Sequence, residues 1–244
     1  MGQSAGNFIY ISMHLYCAPR KKLAVEIVEN LRVANAKRKK NDFYWYKNQL
    51  STIFQIPKSY FENPLTVEEK VFFAGFLFGE GSINVSAKKE KSAPFGIILD
   101  PEFSVTQHVN AVSQLFRGFR IFNTGSLRYK VGSNATLVYR IDNRTTLLEK
   151  VIPFYETYAK PFSTFDLEFQ NRLENFKELL RSFQGKKHLE YSTFSDKMLP
   201  IWDRMRKQRF QSNSSFASLQ DAQAYAKEIM HSKKESSETT RDLV

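Results

Sequence analysis

The chain changes its hydrophobic rhythm several times, and each change marks an element. Residues 21–36, KKLAVEIVENLRVANA, carry Leu23, Ile27 and Leu31 on one helical face, which predicts an amphipathic helix. The next run, KRKKNDFYWYKNQL, sets four basic residues before an aromatic cluster. It reads equally as a strip that tracks a phosphate backbone and as a solvated helix end leading into a core-facing segment. IPKSYFENPLT, with two prolines, reads as a connector, and it closes an N-terminal extension, 1–64. Thr66-Val-Glu-Glu69 then has the form of a capping box, which predicts a helix over 67–78. That helix is apolar on every side, so it is expected to be buried all round.

Period-two alternation takes over after Gly81. Strands are predicted over 82–89 and 95–107, separated by the charged turn KEKSAP. A helix is predicted over 108–118, then strands over 121–130 and 135–142 joined by VGSN, and helices over 145–160 and 166–183. The order α-β-β-α-β-β-α-α makes 65–184 a mixed α+β domain. The C-terminal extension, 185–244, carries a predicted helix over 196–209, which Pro200 is expected to break, and another over 218–233. The polar end, KKESSETTRDLV, is expected to be disordered.

Composition narrows the function. The 244 residues are 42% apolar, enough for a core, and the 22 phenylalanines read as core filling. Thirty-six Lys and Arg against 25 Asp and Glu give a net charge of +11, which points to a polyanionic partner, most commonly nucleic acid. The single cysteine, Cys17, excludes an internal disulfide and a cysteine-based zinc site. The four histidines have no metal-ligand spacing. No apolar run reaches the roughly 20 residues of a membrane span, and the N-terminus lacks the basic region of a signal peptide, so an intracellular protein is expected.

The stretch FFAGFLFGEGSINVS holds the candidate chemistry. Gly75 and Gly79 lie four apart on one face, with Ala74 beside them. Glycine inside a helix costs about 1 kcal/mol against alanine, so two of them imply a close backbone approach. No second copy of the motif occurs in the chain, and the simplest partner is the same helix of another copy across a twofold axis. The axis would bring two Glu80 carboxylates together near helix C-termini, an arrangement that calls for divalent cations between them. On these residues alone Glu80 reads equally as an exposed residue after a capping glycine.

The run FFAGFLFGEGSINVS, followed by a strand, resembles the signature of the LAGLIDADG homing endonucleases, and the element order over 65–184 matches their core. The blocks AGFLFGEGSINVS, DPEFSVTQHVN, GSNATLVYRIDN, KVIPFYETY and LPIWDRMRKQ resemble the single-motif, homodimeric members encoded by introns of algal chloroplast large-subunit rRNA genes. The resemblance implies an α-β-β-α-β-β-α core with a curved antiparallel DNA-binding sheet and helical terminal extensions. It implies a Mg²⁺-dependent double-strand break in a long pseudo-palindromic site of an intronless organellar large-subunit rRNA gene. It also implies double-stranded DNA and a second copy, held through the helix at 67–78, as partners, no membrane, and a chloroplast location.

Residue by residue, the resemblance makes Glu80 the acidic metal ligand, where Asp is usual, with the Gly79 carbonyl joining it. The second acid common in the family is replaced by Phe78. Gln107 falls at the position that orients water, although it also reads as a helix-initiating or surface residue. Lys160 is the candidate basic residue near the scissile phosphate, at a spacing from IPFY that departs from the family pattern. The strand alternation gives one apolar and one polar, net basic face, as any half-buried antiparallel sheet does; the resemblance makes the polar face the DNA-facing set: Asn84, Ser86 and Lys88; Asp100, Glu102 and Ser104; Arg128 and Lys130; Thr136 and Arg140. Two alternatives on the same fold are an intron RNA-splicing maturase and a DNA-binding protein that does not cut.

Overall fold

The computed structural model describes residues 56–108, 111–130, 136–208 and 215–241. The predicted helix over 21–36 and the basic-aromatic run after it lie outside the described residues. The described chain forms two compact units that alternate along the sequence. In its described part the first is built from residues up to Ser82, Phe103–Ile141 and Phe154–Ala159, and the second from Ile83–Glu102, Asp142–Pro153 and the chain from Lys160.

The first unit opens with α1 (Lys58–Glu62) and α2 (Val67–Glu80). The capping box at the start of α2 is formed in both directions: Glu69 N–H donates to Thr66 Oγ1, and Thr66 N–H donates to a Glu69 carboxylate oxygen. The helix reaches Glu80, two residues beyond the prediction, and β1 (Gly81–Lys89) begins at the next residue with no loop between. A Cβ at Gly81 would stand 2.6 Å from the Leu77 carbonyl oxygen, so only glycine fits this junction. β2 (Ile97–His108), α3 (Val112–Phe122), β3 (Ser126–Tyr129) and β4 (Thr136–Ile141) follow. The four strands form one sheet in the order β1-β2-β4-β3, with β4 antiparallel to both β2 and β3.

Two predicted elements of this unit shift by more than two residues. The helix expected over 108–118 occupies Val112–Phe122, because β2 still pairs His108 with Thr136. The strand expected over 121–130 shrinks to Ser126–Tyr129, because α3 runs on to Phe122 and is capped by Asn123 in the left-handed conformation. The core of this unit is an aromatic stack of Phe73, Phe103, Phe122, Tyr139 and Phe154, with ring centroids 5.3–6.5 Å apart between neighbours. Tyr139 fixes the turn into β3. Its hydroxyl donates to the carbonyls of Thr124 (2.7 Å) and Gly118 (3.2 Å), and its ring fills the space that Cβ atoms at Gly118 and Gly125 would need.

In the second unit the predicted helix over 145–160 is interrupted. After one turn at Arg144–Thr146, Leu147–Val151 winds as a π-turn in which Ile152 N–H bonds to Leu147 O, and α4 (Ile152–Tyr158) then passes into the first unit. The same device recurs at Phe194–Met198, where Leu199 N–H bonds to Phe194 O and α6 (Leu199–Gln208) continues. Each π-turn directly precedes an X-Pro step, Ile152-Pro153 and Leu199-Pro200. Proline removes one donor from the ladder, and widening the preceding turn lets the helix proceed. The break expected at Pro200 therefore does not occur. Between them lies α5 (Leu167–Gln184), with Leu173, Phe176, Leu179 and Leu180 buried. α7 (Leu219–Arg241) is closed at its start by reciprocal Ser218–Asp221 hydrogen bonds. Most of the polar end expected to be disordered is helical through Arg241.

Candidate active site and nucleic-acid interface

Among the described residues α2 is not buried all round. Phe73, Ala74 and Leu77 face the core, while Phe72 is 55% exposed and Val67 60% exposed. Gly75 and Gly79 lie on the open side, and a Cβ built at either would meet nothing within 4 Å. The glycines are therefore not required by packing inside the described chain. Their cost, about 1 kcal/mol each, needs another justification.

Glu80 ends this helix, exposed, and its carboxylate makes no ion pair among the described residues. The Gly79 carbonyl is one residue before it. These are hard oxygen donors of the kind Mg²⁺ prefers. Among the described residues no group of three or more His, Cys, Asp or Glu is gathered into a metal cage. One described chain thus offers a partial ligand set that water, phosphate oxygens or a second copy would have to complete.

Gln107 sits in β2 opposite Leu137, half-buried, in the same unit as Glu80. No hydrogen bond joins the two side chains. Lys160 belongs to the other unit, at a short helical turn, Lys160–Phe162, and is ion-paired to Glu174 at 2.8 Å. The hydrogen bond from the Lys160 ammonium holds the Glu174 carboxyl below its ordinary value.

The alternation of the strands holds along the sheet. In β1, Ile83, Val85 and Ala87 are buried while Ser86 and Lys88 are exposed and Asn84 is half-buried. In β2, Leu99 and Phe103 are buried while Asp100, Glu102 and Ser104 are half-buried. The strand registers then bring the opposite-parity residues into rows. Ser104 faces Arg140, which faces Ser126. Thr106 faces Val138, which faces Arg128. His108 faces Thr136, whose carbonyl accepts from Lys130 N–H at 2.8 Å. One sheet face thus carries Arg140, Arg128 and Lys130 within three adjacent rows.

In the second unit Lys88 and Asp100 are ion-paired at 2.7 Å, so these two candidates act as a pair. Asn84 is tied down by a residue that strand reading did not single out. Arg172, 3% exposed on α5, donates to the Ile83 carbonyl (2.9 Å), the Met205 carbonyl (2.8 Å) and the Asn84 side-chain oxygen. Its partners on β1 lie 88 and 89 residues away, and its sequence setting, LEFQNRLENF, is that of an ordinary surface arginine. Arg144 is a second such arginine. It donates to the Leu99 carbonyl at 3.0 Å and lies over the Phe183 ring at 3.7 Å. Beside Phe183, burial and then the Arg144 charge push the His188 imidazole below its ordinary pKa.

A family model described as LAGLIDADG endonuclease matches residues 73–176. The chain is 47% identical, over 86% of its length and 94% of the other's, to the protein named DNA endonuclease I-CeuI of Chlamydomonas moewusii. A solved structure, "Group I Intron-encoded Homing Endonuclease I-CeuI Complexed With DNA", superposes with a TM-score of 0.74 at 46% identity, covering 83% of this chain and 94% of that one. The archaeal intron-encoded homing endonuclease I-Vdi141I, also complexed with DNA, superposes with a TM-score of 0.58 at 24% identity, covering 66% and 96%, a likeness of fold.

Proposed function

The chain belongs to the LAGLIDADG endonuclease family, and we propose that it is a homodimeric, Mg²⁺-dependent homing endonuclease that cuts both strands of one long, pseudo-palindromic DNA site. The observation that carries the proposal is the helix α2. It ends in an exposed carboxylate and presents an open face at Gly75 and Gly79, where a Cβ would meet nothing within 4 Å, beside Phe72, which is 55% exposed with the Arg117 guanidinium over its ring at 4.7 Å. A second copy packed on that face would pair the two Glu80 carboxylates beside the scissile phosphates. Glu80 and the Gly79 carbonyl would hold Mg²⁺, which when bound supplies Lewis acidity to the transferred phosphoryl group.

The remaining roles belong to the protein. Gln107 orients the attacking water through its amide, and Lys160, with its charge shared with Glu174, balances the charge that develops at the phosphate. The rows Ser104–Arg140–Ser126, Thr106–Val138–Arg128 and His108–Thr136–Lys130 enter the major groove. There the arginines can donate to guanine O6 and N7. Lys88 and Asp100 act together, since an acceptor held by a lysine is suited to orienting that lysine toward a base or phosphate. Because many phosphates are contacted, binding falls steeply with salt. The relative's intron-encoded character and algal source support an organellar, chloroplast setting and a target in an intronless large-subunit rRNA gene.

The test is cleavage of a supercoiled plasmid carrying that gene, by wild type and Glu80→Gln, with Mg²⁺ or EDTA. One double-strand cut is expected, absent in EDTA and in the variant, while the variant still binds the DNA. Binding with no cutting in any divalent metal would overturn the enzymatic reading in favour of a splicing or purely DNA-binding protein.

A further inference from the structure

The β1–β2 hairpin is exposed to a mechanical difficulty. β1 is an edge strand, with a sheet neighbour on one side only. A pair of strands extending from a sheet is only marginally stable in water by itself. Yet this hairpin carries Asn84, Ser86, Lys88, Asp100 and Glu102, half of the proposed DNA-facing set. Recognition by such a segment is costly unless something fixes its conformation before DNA arrives.

The C-terminal helix α7 does this from three directions. Lys233 extends its ammonium to the carbonyl of Ala93, at 2.6 Å, in the middle of the connecting turn. The same carbonyl already accepts from Gly96 N–H at 3.0 Å, so the lysine adds a charge-assisted bond to the turn's own closure. Ile229 and Tyr225, one and two turns earlier, close over Gly96. A Cβ there would stand 2.8 Å from Ile229 Cγ1 and 3.0 Å from Tyr225 Cε1, and the φ of +68° independently favours glycine. Finally, Lys89 has the parity opposite to Lys88. Lys88 points to the DNA-facing side and Asp100, whereas the Lys89 ammonium lies 5.1 Å from the Tyr225 ring and 5.3 Å from that of Phe216. Neighbouring lysines on one strand thus serve opposite faces. Phe95, in the same turn, is buried against Tyr191 and Phe194.

We infer that α7 is a positioning element for target recognition: Tyr225, Ile229 and Lys233 hold the tip of the β1–β2 hairpin in the one conformation that reads its share of each half-site. The inference rests on the reading of the sheet as a DNA interface. These are positioning residues; none of them touches the reacting atoms. Their effect falls on discrimination at the hairpin's base pairs, and the cleavage step itself is left alone.

The test uses the full-length protein with three variants. Lys233→Met removes the charge at similar length, Lys233→Arg keeps a donor, and Lys88→Ala alters the hairpin's DNA face directly. Backbone amide exchange over 89–97 is measured without DNA, and single-turnover cleavage is measured on a library of sites with each base pair substituted. Lys233→Met is expected to raise exchange in the turn about tenfold and to lose discrimination in the same block of base pairs as Lys88→Ala. Its rate on the parent site at saturating enzyme is expected to stay at the wild-type value, and Lys233→Arg is expected to restore protection. Unchanged exchange would overturn the inference, as would a loss of discrimination in Lys88→Ala that Lys233→Met does not share. If neither variant alters discrimination while the turn does loosen, the hairpin is no reader, and the assignment of the sheet face falls with the inference.

Discussion

Replacing Gly75 and Gly79 by alanine sets the two possible reasons for these glycines against each other. Within the described chain a methyl group at either position meets nothing within 4 Å, so the substitution creates no clash there. Alanine then gains its ordinary helix advantage, about 1 kcal/mol at each site, wherever α2 is helical and unpartnered. In the proposed dimer, with α2 against its copy across a twofold axis, the outcome reverses. One substitution adds a methyl on both sides of a closely packed crossing, and overpacking of that kind costs about 1–3 kcal/mol. The dimer dissociation constant should rise roughly 5- to 150-fold for Gly75→Ala, at about 1.4 kcal/mol per factor of ten. Sedimentation velocity over a dilution series measures the dimer dissociation constant, and urea unfolding at the lowest and highest concentrations measures the helix stabilisation. The expected signature is a stabilised dilute chain together with a weakened dimer. Association unchanged in both alanine variants would refute the argument, and so would a loss of stability that does not depend on concentration.

Gly81→Ala should behave differently from both, because its Cβ would stand 2.6 Å from a backbone oxygen that cannot swing aside. A cost of about 1–3 kcal/mol and a displaced Glu80 are expected, read as a cleavage rate lowered far more than DNA affinity. Arg128→Ala, exposed on the edge strand β3, should cost about 1–3 kcal/mol of binding and relax preference at one or two base pairs per half-site, measured by competition with substituted sites. For His188 the folded imidazole is held below the unfolded value by burial and by Arg144. The unfolded chain binds that proton more readily, so this contribution is present above the ordinary imidazole pKa and is lost as pH falls through the lowered folded value. Chemical denaturation across that range should show stability rising with pH, and His188→Gln should flatten the rise.

The legibility of the molecule in its sequence depended on how local the determinant was. The start of α2 was readable because a capping box is complete within four residues, and both of its hydrogen bonds form. The faces of β1 and β2 were readable because alternation needs no partner. Boundaries that depend on a distant strand were not. β2 extends to His108 only because Thr136 is there to pair with it, and α3 is displaced accordingly. Pro200 looked like a stop because the π-turn that absorbs it is a matter of backbone hydrogen bonding, with no residue type of its own. At the candidate site, Glu80 and the open glycines stood out from spacing, and the family resemblance gave them chemistry. Arg172 was invisible: nothing in its neighbours announces a guanidinium buried against a strand 88 residues away.

The sheet's strict alternation has a consequence for how such a protein can acquire a new target. Core residues and the proposed reading residues are threaded on the same strands but occupy separate populations, so Ser86, Ser104, Ser126, Arg128 and Thr136 can be exchanged without moving a buried side chain. A change of DNA address therefore need not be a change of architecture. The freedom is uneven, however. Asn84 is linked to the interior through Arg172, and Lys88 can drift only together with Asp100. Retargeting, whether by drift or by design, should proceed fastest along β3 and β4 and stall at the base of β1.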